Sequence, residues 1–132
     1  MFKAKDIMTR PVVTTQPDMP IYDAIRLLAN RNITGLPVVD EDLNLVGILS
    51  EKDVLKTLYD TDDSPELTVA DFMSTETVVF DEDTNIIELC DCLIGNSFRR
   101  VPITKDGKLE GIASRRDIIK TILLIKHQEI KE

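Results

Sequence analysis

Tryptophan is absent, histidine occurs once, at His127, and cysteine only twice, at Cys90 and Cys92. Two cysteines one residue apart, with no third anywhere, make neither a redox CxxC nor a zinc-ligand pattern. No phosphate-loop GxxxxGK[ST] occurs, and no nucleophile, base and metal ligands stand out as a set, so catalysis is not expected. His127, between Lys126 and Gln128, reads as an exposed helix-end residue. Long apolar runs are also missing. None approaches the ~20 residues that span a bilayer, and the opening "MFKAKDIMTRPVV" lacks a signal peptide's apolar middle. The expectation is a cytoplasmic protein without a membrane partner. A basic surplus is lacking too: the net charge is −8, which argues against nucleic acid, whose phosphates need a basic face.

What is present is a soluble, globular composition, 42% hydrophobic and 30% charged over 132 residues. That length fits one ordinary domain or two very small subdomains sharing a core. The chain is written twice. "GILSEKD" at residues 47–53 returns as "GIASRRD" at residues 111–117, followed by "KTL" and "KTI" at equal distance. Upstream, the segment starting at Lys5 matches the one starting at Ala70 with an offset of 65: Asp6 meets Asp71, Met8 meets Met73, Val13 meets Val78 and Pro37 meets Pro102. One residue is lost between "DEDLNL" and "KDGKL", and the offset becomes 64, so Gly47, Ser50 and Asp53 meet Gly111, Ser114 and Asp117. Such repetition means one supersecondary unit used twice. The boundaries are residues 1–60 for the first repeat, an acidic linker at 61–69, and 70–132 for the second repeat with an extended C-terminal helix.

Each copy reads as strand, helix, strand, strand, helix. Residues 12–15 and 77–80 are β-rich runs expected to form strands. Ile21, Ala24, Ile25 and Leu28 recur at helical spacing, as do Ile86, Leu89, Cys90 and Leu93. Cys90 and Cys92 thus align with Ile25 and Leu27 and read as packing residues. "LPVVD" with "LVGILS", and "VPITK" with "LEGIAS", are hairpins closed by polar turns. The last helices begin at Ser50 and Ser114 and carry Val54, Leu55, Leu58 and Ile118, Ile119, Ile122 on their apolar sides. The fold class is α+β, two βαββα repeats expected to pack sheet to sheet with pseudo-twofold symmetry, since ~55 residues alone bury too little surface.

"SEKD" and "SRRD" admit two readings. Serine at an N-cap with an acid three residues on is a capping box that satisfies free N–H groups, and the acid suits the positive end of the helix dipole. Alternatively, the preceding glycine marks a place where a ligand or another backbone comes close. An ionised aspartate there can accept from both hydroxyls of a sugar diol, with serine and free N–H groups facing a phosphate. The residues alone leave both readings open.

With "DIM" at its start, "GLPVVD" in its middle and "GILSEKD" at its end, the duplicated unit resembles a tandem pair of cystathionine-β-synthase (CBS) domains, from about Ala4 to Leu124. The resemblance implies a pseudo-twofold pair with a cleft on each side, adenosine-containing regulatory ligands (AMP, ADP, ATP, S-adenosylmethionine or dinucleotides) and further association into flat homodimers. It places ribose binding on Asp53 and Asp117, with Ser50 and Ser114 beside the phosphate. The segment after the "IM" motif lines the adenine pocket in such proteins, which points to Thr9, Arg10, Pro11, Val12 and Val13, and in the second copy to Ser74, Thr77 and Val78. Further walls fall on Thr34, Gly35, Leu36 and Pro37, or Arg99, Arg100, Val101 and Pro102.

The copies differ where the family's nucleotide-regulated kinase subunits grip phosphate with a basic pair: Arg99 and Arg100 stand in for Thr34 and Gly35. Residues 99–120 hold seven basic side chains, Arg115, Arg116 and Lys120 among them, against three acidic ones. A local patch draws anions whatever the total charge. The expected function is a ligand-sensing module that passes its signal to an effector protein or through oligomerisation, with the Asp117 cleft taking a phosphorylated adenosine compound, Arg116 included in that site. The competing reading is a structural or interaction protein with vestigial clefts, supported by the final helix "DIIKTILLIKHQEIK", which is apolar over more than one stripe.

Overall fold

The computed structural model describes residues 2–59, 66–96 and 99–131, with side chains described as far as His127. Most of the acidic linker, residues 61–65, and the "SF" of "SFRRVP" lie outside the described residues. The chain divides into two compact units: residues 13–77 form one, and residues 1–12 with residues 78–132 form the other. This partition differs from the repeat boundaries, because each copy's opening segment joins the unit built on the other copy.

In the unit of residues 13–77, α2 (Ile21–Arg31) buries Ile21, Ala24 and Leu28 and ends at Asn32, a left-handed C-cap whose N–H reaches Leu28 O. The short opening helix α1 (Ala4–Ile7) belongs to the other unit. Strands β1 (Gly35–Val39) and β2 (Leu45–Ser50) pair antiparallel. Their turn is held by Asp40, whose Oδ1 accepts the N–H groups of Asp42 and Asn44, both at 2.9 Å. Leu36, Val38 and Leu49 form the core with α2 and Val69. Helix α3 (Glu51–Leu55) follows β2 and tightens at once into a 3₁₀ turn, Lys56–Tyr59.

The other unit repeats this plan. A two-residue strand β3 (Phe80–Asp81) runs parallel to β4 (Arg100–Lys105), which pairs antiparallel with β5 (Lys108–Ser114). Asp106 and Gly107, at φ 52° and 82°, make the tight turn between them. Helix α4 (Ile86–Gly95) is capped by Asn85, and α5 (Arg115–Lys131) is the longest helix described. Leu89, Leu93, Val101, Ile103, Ala113 and Ile118 form the core.

Two sequence expectations need correction. Residues 12–14 and 77–79 form no strand. Only Thr15 bridges to Val38, and only Phe80 and Asp81 pair with β4. Their β-rich composition serves instead the stretches where the chain passes from one unit to the other, between residues 12 and 13 and between 77 and 78. Leu55 and Leu58 do not pack inward; they are 60% and 84% exposed. Helix α3 is too short to carry a continuous apolar face, and only Val54 of the three is partly buried.

The exchange of opening segments is symmetric. Ala4 N–H donates to Thr84 O at 2.8 Å and Lys5 N–H to Glu82 O at 3.0 Å. In the other unit Val69 N–H donates to Met19 O at 3.0 Å and Ala70 N–H to Pro17 O at 2.9 Å, the same bonds shifted by one repeat. Thr9 then exchanges both backbone hydrogen bonds with Ile112, as Ser74 does with Ile48. Ala4 and Val69 are fully buried at equivalent points. Lys5 adds an ion pair with Asp83, at 3.1 Å.

These crossings explain the glycine of each heptad. A Cβ on Gly47 would lie 2.8 Å from Ser74 O and 3.0 Å from Met73 Sδ; one on Gly111 would lie 2.6 Å from Met8 Sδ and 3.0 Å from Thr9 O. The glycine therefore makes room for the other copy's backbone, and its presence is no argument for a ligand. Gly47→Ala is expected to lower stability by ~1–3 kcal/mol through overpacking, because the obstructing Ser74 carbonyl is tied to Ile48 N–H. A melting temperature equal to the parent's would refute the crossing as the glycine's cause.

The Lys5 hydrogen bond, and then its charge, hold the Asp83 carboxyl below its usual 3.8, while the same bond raises Lys5 above 10.5. The depressed carboxyl contributes stability above pH 3.8 that is lost as pH falls through its lowered value; the lysine's share is lost above 10.5. Asp83→Asn should lower the melting temperature slightly at neutral pH and low salt, with the gap closing in acid. A gap that persists unchanged in acid and in high salt would show that the pair is not its source.

Candidate functional site

Ser50 stands between β2 and α3. Its backbone N–H and its hydroxyl both donate to Asp53 Oδ2, at 2.8 and 2.9 Å, and Asp53 N–H donates back to Ser50 Oγ at 3.3 Å. Ser114 and Asp117 repeat this between β5 and α5, with donations to Oδ2 at 2.9 and 2.9 Å and a return bond of 3.1 Å. The capping box is therefore real in both copies. It consumes one oxygen of each carboxylate and leaves the other, Oδ1, for something else.

At Oδ1 the copies part. Asp117 Oδ1 accepts the Thr9 hydroxyl at 3.0 Å, a bond spanning 108 positions. Asp53 is 8% exposed, and among the described residues its Oδ1 has only the Lys56 ammonium for company, at 4.0 Å. Ser74, the repeat equivalent of Thr9, turns its hydroxyl to Glu76 O at 3.5 Å.

Strand register sets the next neighbours. Gly35 lies opposite Ser50, whereas Arg100 lies opposite Ser114. Residues paired across an antiparallel ladder share a face with Cβ atoms ~5 Å apart, so an arginine side chain springs from beside the second helix entrance, where the first has a glycine. Arg99, Arg100 and Arg116 are exposed and form no ion pair among the described residues. The rest of the expected basic patch is partly committed. Arg115 donates from Nε to Leu93 O and from a terminal nitrogen to Asn96 O, both at 3.1 Å, closing the C-terminus of α4. Lys105 pairs with Glu82 at 3.6 Å.

The structure brings Thr9, Arg10, Pro11, Val12, Val78, Arg99, Arg100, Val101, Pro102, Ser114, Arg116 and Asp117 into one unit. Val13, Thr34, Gly35, Leu36, Pro37, Ser50, Asp53, Ser74 and Thr77 fall in the other. Thr9 thus meets the acid of the opposite copy, and Ser74 shares a unit with Asp53 without bonding to it, an arrangement that sequence reasoning missed. Leu36 and Val101 are core side chains, 0% and 1% exposed, on the strand face away from the serines. Arg10 pairs with Glu110 at 3.8 Å.

A separate open groove of about 400 Å³ lies between α4 and α5, lined by Cys90, Leu93, Ile94, Arg115, Ile118, Ile119 and Ile122. Among the described residues no cluster of acidic, histidine or cysteine side chains could hold a metal ion. No described helix is long and apolar enough to cross a membrane.

A doubled, mixed helix-and-strand chain whose helix entrances carry matched serine–aspartate pairs defines a class of tandem modules. The CBS domain family profile matches residues 4–60 and 69–124, and the chain belongs to that family. It is 34% identical over 123 residues to an uncharacterized 17.7 kDa protein of Acidianus ambivalens, covering 92% of this chain and 73% of that one. It spans smaller shares, 42% and 23%, of two further curated relatives. Among solved structures, CBSX2 from Arabidopsis thaliana in complex with AMP aligns with a TM-score of 0.83 and 31% identity, over 96% of this chain and 99% of that one. The CBS domain pair of MJ0100, in complex with 5′-methylthioadenosine and S-adenosylmethionine, aligns at 0.76 with 27% identity, over 92% and 96%.

Proposed function

We propose that the chain is a non-catalytic, regulatory sensor of adenosine-containing ligands. The observation that carries this reading is the repeated aspartate held at a helix entrance by its own serine, with one copy flanked by arginines that form no ion pair among the described residues. Its support is family membership, together with the AMP held by CBSX2 and the methylthioadenosine and S-adenosylmethionine held by MJ0100. In this reading Asp117 receives ribose hydroxyls and Ser114, Arg99, Arg100 and Arg116 face a phosphate, so that AMP, ADP or ATP suits this copy better than an uncharged nucleoside. The Asp53 copy, with Gly35 in place of Arg100, takes a less charged ligand or none. Ligand binding acts on a partner by favouring one of two arrangements of the module. The partner is an effector protein or a second copy in a cytoplasmic homodimer.

The groove between α4 and α5 favours a second reading, an interaction protein with vestigial ligand sites. Ile94, Ile119 and Ile122 are 77%, 58% and 46% exposed there, which suits a covered surface. Ligand-dependent melting separates the two. AMP, ADP, ATP and S-adenosylmethionine would be screened with and without magnesium. At one hundred times its dissociation constant, a ligand should raise the melting temperature by roughly 10 °C. Asp117→Ala should abolish most of that rise while leaving a cooperative transition, lowered by ~1 kcal/mol for the lost cap contact. No shift with any of the four compounds would reject the sensor and favour the scaffold.

A further inference from the structure

We propose that Thr9 is a latch on the Asp117 site, occupying the acceptor that a ribose diol needs, so that release of Thr9 is part of ligand capture. This inference rests on the adenosine reading above and goes beyond it in assigning the control of that site to a residue of the opposite copy.

A carboxylate offers about four lone-pair positions, two on each oxygen. At Asp117 both positions on Oδ2 are taken by the Ser114 N–H and hydroxyl. These bonds are fixed by the helix cap. One position on Oδ1 is taken by Thr9. A vicinal diol donating through both hydroxyls needs two acceptors, and with Thr9 in place only one remains. The bond that must yield is the weakest-anchored one: Thr9 is exposed, and its hydroxyl can rotate away while its backbone pairing with Ile112 stays intact. Asp53 serves as the internal comparison. Its Oδ2 carries the same two serine bonds, but among the described residues no hydroxyl bonds to Oδ1, and Ser74 is turned elsewhere. The same scaffold thus presents one latched and one unlatched carboxylate.

Thr9 also sits in the opening segment, between the buried Ala4 anchor and the point where the chain leaves this unit after residue 12. Freeing its side chain changes what holds that segment at the helix entrance. A ligand captured at Asp117 is in this way reported to the N-terminal end of the chain.

The test is calorimetric titration of AMP and of 2′-deoxy-AMP into the full chain carrying Asp53→Asn, which keeps the α3 cap and leaves the Asp117 site to be read alone. In that background Thr9→Val preserves shape and β-branching but removes the donor. It should raise AMP affinity by about tenfold, the worth of one hydrogen bond to a charged group. Thr9→Ser, which keeps the hydroxyl, should bind AMP as the parent does, and 2′-deoxy-AMP should gain little from Thr9→Val. Parent-like or weaker AMP binding by Thr9→Val, including no binding at all where the unsubstituted protein binds, overturns the latch and leaves the adenosine reading standing. Absence of AMP binding by the unsubstituted protein, the Asp53→Asn chain and its Thr9→Val derivative alike overturns both. Binding that appears only when Thr9 is replaced supports the latch. Equal unfolding midpoints for the Thr9 variants show that affinity and not stability has changed.

Discussion

Two close approaches of backbone hold this architecture together. Met8 and Thr9 pass over Gly111, and Met73 and Ser74 pass over Gly47, at distances where no side chain fits on the glycine. Each passage puts the opening segment of one copy against the last strand of the other, where it completes a ladder and, with Ala4 or Val69, fills a core. Neither repeat is closed by its own residues. The helix entrances, and the acids that cap them, are assembled next to chain that comes from the other half of the sequence.

The copies differ at most aligned positions, and three of those differences fall at the helix entrances. Arg100 replaces Gly35 opposite the capping serine, Arg115 replaces Glu51 at the first turn of the helix, and Thr9 replaces Ser74 at the crossing. Arg115 is structural, tying α5 to the end of α4, while Arg99, Arg100 and Arg116 stay unpaired among the described residues. The second helix entrance is therefore both more positive and more constrained than the first. In the proposed reading, charge favours an anionic ligand there, and the Thr9 bond sets how readily the carboxylate accepts it.

The local features of the fold were legible in the residues. The hairpins follow from polar turns between short apolar runs, α2 and α4 from their spacing, and the capping boxes from serine and aspartate three apart. The exchange was not, because a duplicated sequence reads identically whether Met8 crosses Gly47 or Gly111. The glycines had the right physical meaning, close approach, but the approaching group proved to be protein. Residues 12–15 look like a strand because β-branched residues favour extended chain, yet a chain leaving one unit for the other has no ladder partner until Thr15. Leu55 and Leu58 follow a helical pattern, but α3 ends too early to use it. At the helix entrances, the Ser50–Asp53 and Ser114–Asp117 cap bonds were legible from the motif, whereas the Thr9 contact joins residues 108 apart and depends on the unseen crossing.

The account stands on one claim, that the capping aspartates receive the ribose of an adenosine ligand. The direct measurement is a proton–nitrogen correlation spectrum of the labelled chain during titration with AMP. Saturable shifts of the Thr9, Ser114 and Asp117 amides, weakened by removing the ligand's 2′-hydroxyl, are the predicted result. Shifts confined to α4 and the outer face of α5, with those amides unmoved, would contradict it.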